Sequence, residues 1–196
     1  MAQLSDAELS ALRNELARAE IRDAMFRYCR GVDRADAELI RSAYHPDAHD
    51  RHGKYDGSSH AFADVHVQRM PSVADGIQHL LGNIFIELDG DVARVETYFL
   101  TAYRPQSDLD EVAMFGGRYL DRFERRDGKW LIANRTVVND WSFRNALARD
   151  TAGDAGYPRG RSDADDLVFL ASTWATNGSA TQHLVPAPHG DGGVDA

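Results

Sequence analysis

The first part of the chain carries apolar side chains at the spacing of a helix. Leucines recur every three or four residues, and a second apolar stripe continues from them. The two stripes comprise Leu9, Leu12, Leu16, Ile21, Met25, Tyr28 and Val32. We therefore predict a helix from about Asp6 to Arg30, capped at its start by Ser5 or Asp6 and ended by Gly31.

Two shorter helices are predicted after it. Asp36 is placed to cap the first of them, which must end before Pro46 because proline disfavours helix in the residue that precedes it. The next helix would start at Ser58 or Ser59 and end before Pro71.

The hydrophobic pattern then changes to that of strands joined by tight turns. The signals Asp89-Gly90 and Asp127-Gly128 are typical of hairpins. The predicted strands cover residues 77–88, 92–103, 112–125 and 129–141. Helices followed by antiparallel hairpins indicate an α+β fold, with helices packed on one face of a curved antiparallel sheet.

The pattern weakens after Trp141. Residues 152–161 are rich in Gly, Pro and Asp and predict a loop, 163–173 favour a short helix, and 185–196 favour a flexible end. We expect one domain over residues 1–150 and a partly flexible C-terminal extension over 151–196 that is not a separate domain.

Composition narrows the functional classes. The chain has 196 residues, 43% of them hydrophobic, which suits a single globular domain. Its net charge of -9, with scattered Lys and Arg, argues against binding to duplex DNA or anionic membranes. The chain has no long apolar run that would predict a membrane span, and no apolar signal core that would predict secretion. We therefore expect a cytoplasmic protein.

Cofactor chemistry finds little support in the sequence. The single cysteine, Cys29, excludes an internal disulfide and a site built from several cysteines. No dinucleotide-binding glycine pattern or phosphate loop is present, so we expect no cofactor. His45, His49 and His52 cluster with two aspartates, but their spacing does not place them on one face of a helix. We expect a solvated loop near a pocket rim there rather than a metal site.

His79 is the first candidate for chemistry. Strand alternation would place Ile77, His79, Leu81, Asn83 and Phe85 on one face. A lone imidazole on an apolar strand is costly to bury unless a partner binds it. Two readings stay open: a core histidine bound to a backbone carbonyl, or a functional base.

Asp33 is the second candidate. It follows the predicted helix end at Gly31, where an aspartate often caps the next helix or forms an ion pair. Asp36 is better placed for the cap, so Asp33 is free to bind another group.

Five further residues share faces with the predicted core. Tyr28 lies on the apolar stripe of the first helix, and a buried Arg135 on the last strand would need a counter-charge or a pocket. Asn139 has the parity of Arg135. Phe115 and Tyr119 share a parity on the neighbouring strand and could form an aromatic wall.

The motifs together resemble a known family. Gly-Val-Asp-Arg at 31–34, His-Pro-Asp-Ala at 45–48 and Glu-Arg-Arg-Asp-Gly-Lys-Trp at 124–130 occur in the order found in the SnoaL-like branch of the nuclear transport factor 2-like superfamily. The resemblance covers about Leu9 to Trp141. It implies a cone-shaped curved sheet with helices on its concave side, enclosing a pocket.

The resemblance also implies roles for residues. In the dehydratase-like members, an Asp after the first helix pairs with a pocket His, which are Asp33 and His79 here. Tyr28 and Arg135 match a pocket helix residue and a pocket arginine, and complete the expected catalytic set. The substrate-binding residues expected around them are Asn83, Phe115, Tyr119 and Asn139.

The implied activity is a cofactor-independent lyase that eliminates water by acid/base catalysis. The aromatic positions suggest a small apolar aromatic, polycyclic or steroid-like substrate. The same acid/base pair also suits a second reaction, carbon–carbon cleavage that releases formaldehyde. Some sphingomonad members of this fold catalyse it on lignin-derived compounds. Isomerases, polyketide cyclases and non-catalytic accessory subunits are the alternatives. The family also implies a homo-oligomer, a dimer or a trimer.

Overall fold

The computed structural model describes residues 4–147, 156–158, 160–163 and 165–174. The helices are α1 (Asp6–Asp33), α2 (Ala37–Arg41), α3 (Ser59–Val73) and α4 (Ala171–Trp174), and a short 3-10 turn spans Leu167–Phe169. The strands are β1 (Tyr44–His52), β2 (Tyr55–Ser58), β3 (Ala74–Asp89), β4 (Val92–Pro105), β5 (Glu111–Arg126) and β6 (Lys129–Ala146).

The strands form one curved sheet that does not close on itself. Its order is β2-β1-β6-β5-β4-β3, so that β2 and β3 lie at opposite edges. The neighbours pair in antiparallel fashion except β1 and β6, which run parallel. Helix α1 packs against β3 and β6. The predicted α+β fold with a curved sheet and helices on one side is confirmed.

Helix α1 begins as its sequence predicts. Ser5 and Glu8 form a reciprocal capping box, in which each side chain accepts a hydrogen bond from the other's backbone N–H. The second apolar stripe is buried in the core and consists of Ile21, Met25, Tyr28 and Val32. The three leucines of the first stripe are 37–63% exposed.

Gly31 does not end helix α1. The helix continues to Asp33, and Gly31 is buried inside its last turn. The physical reason is a close crossing, since a Cβ on Gly31 would lie 2.7 Å from the backbone nitrogen of Ile40 at α2. The missing side chain lets α2 pack against α1, and Asp33 is held just beyond this contact. Asp36 caps α2 as predicted, accepting a hydrogen bond from the Leu39 N–H at 2.9 Å.

We expect Gly31→Ala to lower the free energy of unfolding by about 1–3 kcal/mol, the usual cost of forcing extra atoms into a packed site. Alanine normally favours a helix interior by about 0.5–1 kcal/mol over glycine, but the backbone overlap outweighs that gain. Urea denaturation measures the change. Gly82→Ala is the control, because its Cβ would meet only ordinary contacts at 3.5 Å. Equal stabilities of the two variants would contradict the crossing argument.

Some predicted element ends are wrong. Helix α3 continues past Pro71 to Val73, because a proline in the last turn leaves most helical hydrogen bonds intact. Pro46 lies inside β1, which starts at Tyr44. The segment predicted as a helix over 163–173 contains the 3-10 turn and α4. Residues 151–155, 159 and 185–196 lie outside the described residues, so the predictions made for them stay predictions.

β-Bulges in several strand pairs change which side chains face the core. The β3–β4 register shifts between Leu81 and Ile84, and the β5–β6 register shifts at Arg122 and Phe123. Beyond a bulge, strand alternation continues with the opposite parity. Ile84 and Ile86 therefore face inward and Asn83 is exposed. The predicted face shared by His79 and Asn83 is wrong for this reason.

Candidate active site

Asp33 and His79 form a close pair near the end of helix α1. The Asp33 Oδ1 lies 2.6 Å from the His79 Nδ1, and the Asp33 Oδ2 accepts a hydrogen bond from the His79 backbone N–H at 3.0 Å. Their side chains are only 14% and 8% exposed. Because both carboxylate oxygens bind the same residue, the imidazole is held in one orientation.

The contact decides which nitrogen of His79 is free. A carboxylate accepts from the Nδ1–H, so the neutral ring carries its lone pair on Nε2. Within the described part of the chain, Nε2 has no hydrogen-bond partner. The His79 side chain lines a cavity, so this ring can act on a molecule bound there.

The cavity has a volume of about 530 Å³ and lies between α1, α3, the β1–β2 hairpin and the sheet. Stacked aromatic pairs form its sheet wall. Phe99 stacks on Tyr119 with centroids 4.5 Å apart, and Tyr103 stacks on Phe115 at 5.8 Å. Flat apolar walls of this kind suit a planar ring.

Three of the four predicted substrate-binding residues line this cavity, namely Phe115, Tyr119 and Asn139. Asn83 does not line it. The β3 bulge turns its side chain outward, so its assignment to the site is corrected.

Arg135 is fully buried behind the cavity wall. Its guanidinium donates two hydrogen bonds of 2.7 Å to the carboxylate of Asp121 and one of 3.2 Å to the Tyr44 hydroxyl. The guanidinium carbon lies 4.1 Å and 4.2 Å from the ring centroids of Tyr28 and Tyr119. Arg135 is not part of the cavity surface, so the prediction of a pocket arginine is corrected: its counter-charge and the two rings enclose it.

Tyr28 lines the cavity with its ring, while its hydroxyl is buried. That hydroxyl has no hydrogen-bond partner among the described residues. Burial raises the pKa of Tyr28 well above its ordinary value, so the hydroxyl stays protonated. The ring also meets Tyr44 and Tyr119 edge to face at 5.8 Å and 5.7 Å. Its packing therefore shapes the wall on which a ligand would rest.

Three residues around the site were not among the predicted site residues. Asp121 shares strand parity with Tyr119, and that signal could have identified it as the counter-charge of Arg135. His52 and His66 also line the cavity. The alternation along β1 could have indicated His52, and the helical spacing from Phe62 to His66 on α3 could have indicated His66.

The two additional histidines stay neutral near pH 7. His66 Nε2 donates to the Val32 carbonyl at 3.1 Å, and burial lowers the pKa of His66. Burial, aided by the charge of Arg135, lowers the pKa of His52 to about 3. The His52 ring stacks on Phe62 with centroids 4.8 Å apart. Near neutral pH, both rings can donate or accept hydrogen bonds without adding charge to the cavity.

The lowered pKa of His52 predicts a loss of stability in acid. The unfolded chain takes up its proton near its ordinary pKa of about 6.5, whereas the folded chain does so only near pH 3, so stability is present above about pH 6.5 and falls below it. We expect His52→Phe, which keeps the stacking on Phe62, to reduce the loss between about pH 7.5 and about pH 5 by about 1 kcal/mol, discounted for partial exposure. Urea denaturation at both pH values measures it. An unchanged loss in the variant would contradict the assignment.

The three histidines of β1 lie beside three different groups. His45 Nε2 lies 2.9 Å from the Glu124 carbonyl oxygen, and His49 Nε2 lies 2.9 Å from an Asp56 oxygen. His52 Nδ1 lies 3.8 Å from Asp50. In the described ranges, no three His, Cys, Asp or Glu side chains are grouped so as to hold a metal ion.

The C-terminal segment packs near the same pair from outside. Arg34 lies 3.5 Å from the carboxylate of Asp166, and Val168 borders a hollow of about 370 Å³ that Asp33 and His79 also line. None of the helices in the described part of the chain combines the length and apolar character needed to cross a membrane.

Comparison with known protein families identifies the family of this chain. The profile of the SnoaL-like domain matches residues 14–136. The chain belongs to this family. The match includes most of helix α1, the Asp33–His79 pair and the buried Arg135, whereas Asn139 and the C-terminal segment lie beyond it. No curated protein sequence matches the chain significantly.

Solved structures share this fold, and one of them is named as a nuclear transport factor 2-like superfamily protein. A hexachlorocyclohexane dehydrochlorinase, LinA type 3 from Novosphingobium barchaimii, is 19% identical with a TM-score of 0.64, covering 71% of this chain and 97% of that one. A candidate scytalone dehydratase from Novosphingobium aromaticivorans is 18% identical with a TM-score of 0.60, covering 70% and 97%. A superfamily protein from Salmonella enterica is 16% identical with a TM-score of 0.58, covering 64% and 92%.

Proposed function

We propose that this protein is a cofactor-independent lyase that removes water from a small aromatic or polycyclic substrate. The observation that carries the proposal is the Asp33–His79 contact of 2.6 Å beside an aromatic-lined cavity. A carboxylate that orients an imidazole, with the other ring nitrogen free, is the arrangement that general base catalysis needs.

His79 is the acid/base group in this mechanism. Its Nε2 accepts a proton from the substrate carbon next to the one bearing the hydroxyl, and the electron pair left on carbon forms the double bond as the hydroxyl departs. Asp33 holds the ring and stabilises the imidazolium, which then returns the proton to the departing hydroxyl as water. Such a group contributes about 10²–10⁴-fold to the rate. Orientation of the substrate between the aromatic walls supplies a further part.

The remaining predicted residues receive supporting roles. Phe115 and Tyr119 provide flat surfaces for a ring, and Asn139 offers an amide for a polar substituent. Tyr28 and Arg135 act by positioning: the guanidinium holds the tyrosine rings that form the wall, rather than touching the substrate.

Two structural neighbours support the reaction class. Their names, dehydrochlorinase and dehydratase, denote eliminations of hydrogen chloride and of water. Retro-aldol cleavage with release of formaldehyde uses the same base and is the second reaction we propose to test. The expected homo-oligomer, dimer or trimer, and the expected cytoplasmic location remain parts of this proposal.

A panel of aromatic and polycyclic alcohols, incubated with the purified protein and followed by mass spectrometry, tests the proposal. Loss of water or of formaldehyde from one member of the panel, without added cofactor, is the expected result. A set of bound but unchanged compounds would instead favour a ligand-binding accessory module. Such a module has no need for the close Asp33–His79 contact, and this observation favours the enzyme.

A further inference from the structure

Two cations line the mouth of the cavity. Lys54 lies in the turn between β1 and β2, and Arg69 lies on helix α3. Both side chains are exposed and both line the cavity. Two separate elements thus bring positive charge to the same opening.

Neither cation is neutralised by a neighbour. Among the residues that the structure describes, Lys54 and Arg69 form no ion pair, although many of the chain's other arginines do. Of the residues that the structure describes, no aspartate or glutamate lines the cavity, even though acidic residues outnumber basic ones by 31 to 22 in the chain. The mouth is therefore locally positive in an acidic protein.

The other described side chains that line the interior do not compensate this charge, and the Asp33 carboxylate lies behind His79, to which it is bound. His52 and His66 are neutral near pH 7 because their pKa values are lowered, and most of the other lining side chains are aromatic or aliphatic. Concave walls of low polarity concentrate the field of uncompensated charges and favour a ligand of the opposite sign. Arginine presents a planar fork that matches a carboxylate, and lysine adds a mobile point charge.

From this we infer that the substrate is an aromatic carboxylate, whose acid group binds Lys54 and Arg69 at the mouth while its ring lies against the stacked aromatic wall. The inference rests on the proposed function for the reaction at His79 and adds the chemical class of the molecule. The charged end at the mouth fixes which way the substrate enters. Its apolar remainder then extends inward, toward the face of the cavity that His79 lines.

Binding of two matched probes tests the inference without requiring turnover. The probes are the anion of para-phenylbenzoic acid and the neutral para-phenylbenzyl alcohol, compared by isothermal titration calorimetry. We expect the carboxylate to bind about 3- to 20-fold more tightly than the alcohol, as two partly exposed charge pairs allow, and to lose this advantage as salt is raised.

The double variant Lys54→Met/Arg69→Met should bind both probes equally. Lys129→Met/Arg13→Met is the matched control, because these two exposed cations also form no ion pair with the described residues and do not line the cavity. It should keep the preference for the carboxylate. Equal binding of the probes by the wild type, or a preference that survives in the Lys54/Arg69 variant, overturns the inference.

His79→Ala separates this inference from the proposed function. The variant should keep the probe preference, since the mouth is unaltered. A wild-type protein that prefers the carboxylate but converts no aromatic acid would refute the lyase and leave the anion site standing. A protein that dehydrates neutral alcohols but shows no probe preference would support the lyase and refute the anion site.

Discussion

Replacing His79 with alanine is expected to lower kcat/KM by about 10²–10⁴-fold on whichever compound the wild type converts, because this is the usual contribution of a positioned acid/base group. The His79 ring lies beside the cavity. Because its Nδ1 binds Asp33 Oδ1 at 2.6 Å, its Nε2 is the nitrogen that is free to act as the base. Steady-state kinetics with mass detection of product measures the loss. Substrate affinity should change far less than turnover, since the walls remain.

Asp33→Asn should reduce activity to a similar extent. An asparagine amide can donate to Nδ1, which would move the ring proton to Nε2 and remove the base. Because the two residues act as a unit, the double variant should be little worse than either single one.

His49→Ala is the matched control, since this imidazole is 46% exposed, pairs with Asp56 and does not line the cavity. It should retain wild-type activity. Full turnover by His79→Ala, with unchanged folding by circular dichroism, would refute the proposed base.

Asp121→Asn is expected to lower the free energy of unfolding by about 3–5 kcal/mol, because it leaves the buried charge of Arg135 without its counter-charge. Both side chains are 0% exposed, and the pair is held by two hydrogen bonds of 2.7 Å. Because typical domains are stable by only about 5–15 kcal/mol, the variant should be marginally folded. Urea denaturation gives the magnitude.

Removing both charges should cost less than removing one. Asp121→Leu/Arg135→Met leaves no unpaired buried charge, so it should be more stable than Asp121→Asn. Arg125→Gln is the control on the same strand, because its ion pair with Asp91 is about half exposed and should contribute no more than about 1 kcal/mol. A double variant less stable than the single one would show that the pair itself, rather than the charge left behind, determines stability.

Much of the architecture could be predicted from patterns of residues that are close in sequence. The stripe of Ile21, Met25, Tyr28 and Val32 is buried as predicted, since a helix packs its continuous apolar face on the core. The caps at Ser5 and Asp36 and the hairpin turns were readable because they depend on residues close in sequence. Most of the errors concern features that depend on distant contacts.

The bulges show why the site was only partly predictable. Alternation is a local rule, and one extra residue in a strand reverses it for all positions that follow. It correctly placed Phe115, Tyr119 and Asn139, but it placed Asn83 on the wrong side of the β3 bulge. The role of Gly31 was missed for a related reason, because only the approach of Ile40 shows why a side chain is excluded there.

The sequence by itself determined the fold class, the family and the two residues, Asp33 and His79, on which the proposed chemistry depends. Periodicity, caps and short motifs encode these features within a few neighbouring residues. Only the tertiary structure decided how the side chains meet. It joined Asp33 to His79 across 46 positions, enclosed Arg135 with Asp121 and brought Lys54 and Arg69 to one mouth. Such contacts depend on the close packing of segments far apart in the chain, which no local pattern specifies.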